Sequence, residues 1–317
     1  MLVHGVLFLL SAIILSRSAT LLIKTLQKIS SYLRLSQFVV GFILMAVATS
    51  LPELLVGITS AVAGEPTLAL GTVIGSNIAN LTLVIGLAAV SARGIRIEPR
   101  TSDRDIFYMA ISACAPIILL WDGTLSRTEG VALLLFFALY MYRLITEGER
   151  YTKKYKHNHH NATTIAKVLA RFAVGIVFLI GSAHILVENS IALAKDLNLP
   201  LVLVGLFIVA IGTSLPELAF SIPALIKRQS GMVFGNILGS VATNATLILG
   251  VTAVIRPIQI THHSLFVVSS FFLTAVLTLF ILFVRSHRKL SWMEGLGLIF
   301  IYILFVILEF SLEGQLG

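Results

Sequence analysis

Five residues, Thr49-Ser50-Leu51-Pro52-Glu53, return unchanged as Thr213-Ser214-Leu215-Pro216-Glu217, each copy deep inside an apolar stretch. A carboxylate at mid-membrane depth is expensive unless it faces a partner or a watery cavity, so each Glu marks a candidate site for transported ions. Proline has no N–H to give to the helix ladder and clashes with the carbonyl four residues back, so Pro52 frees the carbonyl of Ala48 and Pro216 that of Gly212. These backbone oxygens, the hydroxyls of Thr49, Ser50, Thr213 and Ser214, and the two carboxylates make an all-oxygen set. Such a set suits hard cations such as calcium and sodium. A lone Glu after a Pro could equally be a structural group paired with a Ser hydroxyl; two symmetric copies weigh against that.

Composition sets the surroundings. The chain is 57% hydrophobic and 12% charged, with a mean hydropathy of +0.97, which reads as an all-α integral membrane protein. Hydropathy places ten transmembrane helices at about 2–27, 36–63, 67–92, 104–121, 126–146, 164–194, 200–227, 230–255, 262–284 and 291–311. The fourth ends in Trp121-Asp122-Gly123, an aromatic interface anchor followed by a turn. Seventeen Lys and Arg residues fall in the odd-numbered connections and three, Arg127, Lys195 and Arg256, in the even-numbered ones. The positive-inside rule therefore puts both termini of this multi-pass protein outside. The net charge of +8 does not imply nucleic acid, because the basic residues lie in short loops rather than on one readout face. The single Cys114 excludes an intrachain disulfide and reads as a buried structural residue. Without a Walker motif or a loop able to house a nucleotide domain, an ATP-driven pump or another enzyme is disfavoured. No cofactor and no obligate protein partner is evident; the partners expected are membrane lipid and the transported ions.

The chain is a repeat. Shifting the first half by 164 residues, the offset from Glu53 to Glu217, superposes Gly41 on Gly205, Ala46 on Ala210, Gly71 on Gly235, Gly75 on Gly239, Ser76 on Ser240, Asn80 on Asn244 and Gly86 on Gly250. The division is 1–146, 147–163 and 164–317: a first five-helix repeat with its motif region at 41–86, a cytoplasmic linker, and a second repeat with its motif region at 205–250. The linker carries His157, His159 and His160 and reads as a plain polar loop. An odd number of spans per half inverts the second copy, giving two inverted-topology repeats of the kind secondary transporters use. A second motif follows each Glu, Gly71-Thr-Val-Ile-Gly75-Ser76-Asn77-Ile-Ala-Asn80 and Gly235-Asn-Ile-Leu-Gly239-Ser240-Val241-Ala-Thr-Asn244. The small-xxx-small spacing is expected to press this helix against the broken helix before it, with Ser76 and Asn80 on the face that meets the glutamate.

These two blocks resemble the alpha repeats of the sodium/calcium exchangers of the cation/calcium antiporter superfamily, whose motif joins Gly-Thr-Ser-Leu-Pro-Glu to Gly-Ser-Asn. The resemblance is to the minimal prokaryotic form, since 147–163 is too short to hold regulatory calcium-binding domains. It implies four clustered cation sites and exchange of three sodium ions for one calcium. Glu53 and Glu217 would coordinate calcium with the carbonyls of Thr49 and Thr213. Ala46, Ser50 and Ser76, and opposite them Ala210, Ser214 and Ser240, would form two outer sodium sites, and Asn80 and Asn244 would line the middle one. Where relatives have Asp linked to potassium transport, this chain has Asn244, which points to potassium independence. Ala48 stands for the usual Gly and Val241 for an Asn, while His184 and Glu188 fall where relatives often carry an acidic pair. His184 is expected to be a hydrogen-bonded core residue rather than a proton relay.

Charge counting gives a mechanism without the resemblance. Two carboxylates are neutralised by one calcium ion, two sodium ions or two protons, so any of these loads allows the site to cross a low-dielectric barrier. A third sodium on neutral ligands would make exchange electrogenic. The function read from the sequence is thus sodium/calcium antiport by alternating access, and the resemblance implies the first and sixth spans as a sliding gate. A proton-coupled calcium or other divalent cation antiporter is the alternative.

Overall fold

In hydrocarbon every backbone N–H and C=O must be satisfied within its own segment, so apolar stretches of this length can only be helices. The computed structural model describes residues 2–32, 45–96, 103–148, 162–226, 230–287 and 289–316, and these are almost entirely helical. In chain order the helices are α1 (Leu2–Tyr32), α2 (Met45–Thr49), α3 (Leu51–Ala63), α4 (Pro66–Ala79), α5 (Ile85–Ser91), α6 (Asp103–Leu119), α7 (Arg127–Gly148) and α8 (Ala162–Leu197). There follow α9 (Leu201–Leu203), α10 (Ala210–Thr213), α11 (Leu215–Ile226), α12 (Ser230–Thr243), α13 (Leu249–Ile255), α14 (His263–His287) and α15 (Trp292–Leu316). Three π-helical segments, Asn80–Val84, Val204–Val209 and Asn244–Ile248, join α4 to α5, α9 to α10 and α12 to α13.

Among the described residues seven helical stretches are long and apolar enough to cross a bilayer: Leu2–Thr25, Pro66–Ser91, Ala166–Leu197, Leu201–Ile222, Ser230–Ile255, His263–Arg285 and Trp292–Ser311. Of the other three spans read from hydropathy, 36–63 is described only from Met45 and is interrupted at Ser50, 104–121 corresponds to the shorter apolar helix Ile106–Asp122, and 126–146 corresponds to α7. Gly41 and nearly all of the linker, with its three histidines, lie outside the described residues.

The apolar side chains form two main clusters. The larger gathers α4–α7, the Val204–Val209 segment and α12–α15 around Phe234, Phe280, Phe305 and Met109. The smaller is built where α1 and α8 lie against each other, with Phe8, Ala12, Leu15, Ala19 and Leu22 facing Leu179, Ala183, Leu186 and Val187. This pair meets the rest of the molecule at Val56, Leu68, Val204 and Val209, on the helices that carry the repeated motifs.

Two short antiparallel ribbons tie distant connections together. Strand β1 (Ile95–Arg96) pairs with β4 (Lys289–Leu290), and β2 (Thr124–Leu125) with β3 (Ile258–Gln259). Gly123, after the turn anticipated at Trp121-Asp122, has a φ of 89°, a left-handed conformation that glycine adopts without a Cβ penalty.

The glycine spacing on α4 works differently from the sequence expectation. Gly71 and Gly75 do not serve contact with the broken helix before them; they face the broken helix of the other half. A Cβ on Gly71 would collide with the carbonyl of Val202, and one on Gly75 with the carbonyl of Leu206. From the other side, a Cβ on Gly205 would lie 2.9 Å from the backbone nitrogen of Thr72. Backbone thus meets backbone across the two halves, which only residues lacking Cβ permit. Gly75→Ala should lower the melting temperature of the detergent-purified protein, a loss of about 1–3 kcal/mol or more from overpacking. Gly297→Ala, where nothing lies within 4 Å of a new Cβ, should leave it unchanged or slightly raised.

Candidate cation-binding site

Helix α3 starts with Pro52 in its first turn, and Ser50 interrupts the ladder between α2 and α3 with φ −83° and ψ 3°. Ser214 does the same between α10 and α11, with φ −83° and ψ 0°. The chain bridges each break with two bonds: Ser50 N donates to Ala46 O and Leu54 N to Ser50 O, matched by Ser214 N to Ala210 O and Leu218 N to Ser214 O. The carbonyls of Ala48 and Gly212 sit four residues before the prolines, which have no N–H to offer them.

Glu53 and Glu217 follow these breaks and are buried at 1% and 0% exposure. The Ser76 hydroxyl lies 3.3 Å from Glu53 Oε1, 3.3 Å from Thr213 Oγ1 and 3.5 Å from the carbonyl of Ala210. Thr49 Oγ1 lies 3.0 Å from Ser240 Oγ, 3.1 Å from Asn236 Oδ1 and 3.2 Å from the carbonyl of Ala46. The contacts therefore cross between halves. Ser76 sits with Ala210 and Thr213 of the second half as well as with Glu53 of its own, and Ser240 sits with Thr49 of the first half, where the sequence reading grouped Ser76 with Ala46 and Ser240 with Ala210. The cause is the helix crossing at Gly71 and Gly75, which carries the next turn of α4 against α10.

Much of this polar surface is unsatisfied. Glu53 Oε2, both carboxylate oxygens of Glu217, the hydroxyls of Ser50 and Ser214, both amide atoms of Asn80 and Asn244 Oδ1 are buried without a hydrogen-bond partner. Buried polar groups in native proteins are overwhelmingly paired, so a cluster of oxygens that is not marks a place where a ligand supplies the missing interactions. Among the described residues no group of three or more His, Cys, Asp and Glu could hold a metal. A cation here would have to rely on two carboxylates and several neutral oxygens, a hard and weakly held ligand set.

The π-helical segments begin at Asn80 and Asn244, the same point in each half. A π turn shifts the residues after it around the helix axis and is frequent at functional sites. Thr82 and Thr246, two residues on, donate their hydroxyls to the carbonyls of Ile78 and Ala242. Such back-bonding competes with regular helix bonds. The repeated Asn-x-Thr was the sequence signal for this distortion. Asn77 links the halves again: its Nδ2 donates to the carbonyl of Val241 at 3.4 Å, and its Oδ1 accepts from Asn244 Nδ2 at 3.1 Å. The substitution of Val at 241 thus leaves a backbone acceptor in use.

Three residues emerge that the sequence reading passed over. Asn236 is fully buried beside Thr49, and its Nδ2 has no partner. Ser221, one turn after Glu217, is buried with an unpartnered hydroxyl. Glu309 on α15 is a third buried carboxylate, accepting from Ser269 Oγ on α14; an acidic residue inside the last apolar span was its signal. His184 is a correction in the opposite sense. It lies on the outer face of α8, 3.3 Å from Glu188, the two being 63% and 62% exposed, and not in the core.

The family described as sodium/calcium exchanger protein matches residues 3–146 and 167–310. The putative antiporter CaxA of Alkalimonas amylolytica is 29% identical, over 98% of this chain and 100% of its own. The sodium/calcium exchanger MaX1 of Methanosarcina acetivorans is 26% identical, over 97% and 99%. Among solved structures, the sodium-calcium exchanger NCX_Mj soaked with sodium and strontium superposes with a TM-score of 0.69 at 26% identity, covering 96% of this chain and 98% of the other.

Asn244→Asp removes the amide donor that Asn77 Oδ1 accepts. Its expected effect on thermal stability is modest, about 1–2 kcal/mol, and its larger effect is on which monovalent cations support transport. An unchanged sodium and potassium profile in vesicle assays would remove Asn244 from the site.

Proposed function

The chain belongs to the sodium/calcium exchanger family, and we propose that it exchanges sodium for calcium across its membrane by alternating access, electrogenically and without potassium. At the coarser level it is an integral membrane protein of helical build and a cation/calcium antiporter. The observation that carries the finer reading is the pair Glu53 and Glu217, contributed by the two halves and buried among oxygens that lack partners. Two negative charges in an apolar interior are tolerated only when compensated, so the site moves when loaded with one calcium or with sodium and stays put when empty. Glu53 and Glu217 with the carbonyls of Thr49 and Thr213 would hold calcium. Sodium would take the flanks: Ala46, Thr49, Ser50 and Ser240 on one side, Ala210, Thr213, Ser214 and Ser76 on the other. Asn80 and Asn244 would line the middle.

The ten-span, inverted-repeat arrangement with both termini outside belongs to this proposal. The strand ribbons support it: β1 and β4 lie in the third and ninth connections, and β2 and β3 in the fourth and eighth. Each ribbon joins connections that alternate crossing would bring to the same side. Arg256, in the eighth connection, likewise lies beside Gly64, in the second. The separate cluster of α1 and α8, touching the motif helices along one face, supports a gate formed by these two helices. Val56, Leu68, Val204 and Val209 would be the surface over which it slides.

Calcium uptake into proteoliposomes driven by an outward sodium gradient tests the proposal. Uptake should follow sodium, should not need potassium, and should speed up when the interior is made positive, because three sodium ions leaving for each calcium carry one net positive charge outward. Uptake that ignores sodium and follows a pH gradient would establish the proton-coupled alternative instead. Glu53→Gln and Glu217→Gln should each reduce exchange to background while leaving the detergent-purified protein monodisperse; full activity in both would remove the site.

A further inference from the structure

The two halves are not equivalent at the hydroxyls that face the carboxylates, and the difference lies at one position. Residue 236 on α12 is Asn, while its match 164 residues earlier on α4 is Thr72. Thr72 spends its hydroxyl proton on its own helix, donating to the carbonyl of Leu68 at 2.8 Å. Asn236 instead presents Oδ1 to Thr49 Oγ1 of the other half at 3.1 Å.

A hydroxyl has one proton and two lone pairs. Thr49 Oγ1 has three oxygens in reach: Ala46 O at 3.2 Å, Ser240 Oγ at 3.0 Å and Asn236 Oδ1 at 3.1 Å. An amide oxygen can only accept, so Asn236 gives the Thr49 proton a destination other than the Ala46 carbonyl, and Ser240 is left to donate to Thr49 or to the neighbouring Glu217. With Thr49 donating to Asn236, the carbonyl of Ala46, which already accepts from Ser50 N, keeps its remaining lone pair.

The opposite flank has no such terminal acceptor. Thr213 Oγ1 lies 3.3 Å from the carbonyl of Ala210 and 3.3 Å from Ser76 Oγ, while Ser76 can donate to Glu53 Oε1 or to Ala210 O. The protons of this flank can go only to Ala210 O, to Glu53, or between the two hydroxyls. They point at groups a cation would need, and a cation binding there must first turn them.

We infer that Asn236 is a positioning residue that preorganises the Ala46–Thr49–Ser240 flank for a monovalent cation, making it the stronger of the two sodium sites. The inference rests on the exchange function proposed above. It adds an asymmetry between flanks that the shared motifs do not contain, because every other residue of the flanks is matched by an identical one: Ala46 by Ala210, Thr49 by Thr213, Ser50 by Ser214, Ser76 by Ser240.

The test measures the sodium and calcium dependence of uptake in proteoliposomes for wild type, Asn236→Thr, which copies the first-half helix, and Asn236→Ser, a smaller second variant should the first not fold. With the acceptor gone, the half-saturating sodium concentration should rise about tenfold, as expected for one preorganised hydrogen-bonded ligand, and the half-saturating calcium concentration by less than about twofold. In a Thr49→Val background, which has no hydroxyl to orient, the same substitution should add no further sodium shift. Sodium and calcium affinities that move together, a sodium affinity that does not move, or shifts that add to that of Thr49→Val each overturn the assignment. Wild-type uptake indifferent to sodium overturns the proposed function and this inference with it, so the wild-type control separates the two failures.

Discussion

Everything in this molecule answers to two carboxylates placed where water does not reach. An ionised carboxylate moved out of water loses several kcal/mol of hydration that fixed partners must replace. The surroundings of Glu53 and Glu217 replace only part of it. Glu53 has the Ser76 hydroxyl at one oxygen; the other oxygen and both of Glu217 have no hydrogen bond. A structural ion pair would have brought an Arg or Lys to these positions. What lies around them is Thr, Ser, Asn and backbone carbonyl.

That constraint explains the distortions of the helices. A regular helix spends its carbonyls on itself, so backbone oxygen becomes available only where the ladder is interrupted, and Pro52 and Pro216 interrupt it beside the carboxylates. The π turns at Asn80 and Asn244 turn amide side chains inward on α4 and α12 at the level of the break. Gly71, Gly75 and Gly205 let the backbones touch, so that a side chain as short as Ser76 reaches groups of both halves. Lengthening any one of these contacts would leave the carboxylates facing apolar side chains. The buried oxygens are gathered from both halves, Thr49 with Ser240 and Asn236, Thr213 with Ser76.

The sequence made the carboxylates, the breaks and the repeat legible because each is local: a Glu in an apolar run, a Pro one residue before it, and a five-residue match. Partner choice was not legible, since Gly-xxx-Gly says that a backbone can approach and nothing about which. The neighbour in sequence was the natural guess, and the structure gives the neighbour in the other half. The same limit hid Asn236, which meets Thr49 far away in the chain, and it misplaced His184, because α8 exposes large apolar residues such as Val177, Phe178 and Ile180 as well as burying others, so hydropathy does not declare which face is covered. Glu309 was visible as a carboxylate in the last span but stood outside the repeat, and attention to the repeat passed it over.

The comparison of the halves carries a last step. The glycines and prolines of the two motifs are kept identical: Gly71 and Gly235, Gly75 and Gly239, Pro52 and Pro216. Positions that differ include Ala48 and Gly212 at the break and some that bear on buried oxygens. Asn236 stands where the first half has Thr72, Ser221 occupies the place of Gly57, and the Thr252 hydroxyl, where the first half has Ala88, fills the space that Gly57 leaves open, 2.9 Å from where a Cβ would be. A carrier that alternates between two access states needs those states close in energy, because a bias of a few kcal/mol would hold nearly all molecules on one side. A repeated scaffold supplies that balance, since what one half loses on switching the other regains. Ion selection needs no such balance. A difference such as Asn236 against Thr72 is therefore tolerated where one in the crossing would not be, and substitutions at such polar positions should alter which ion is held far more than they alter whether the frame can switch.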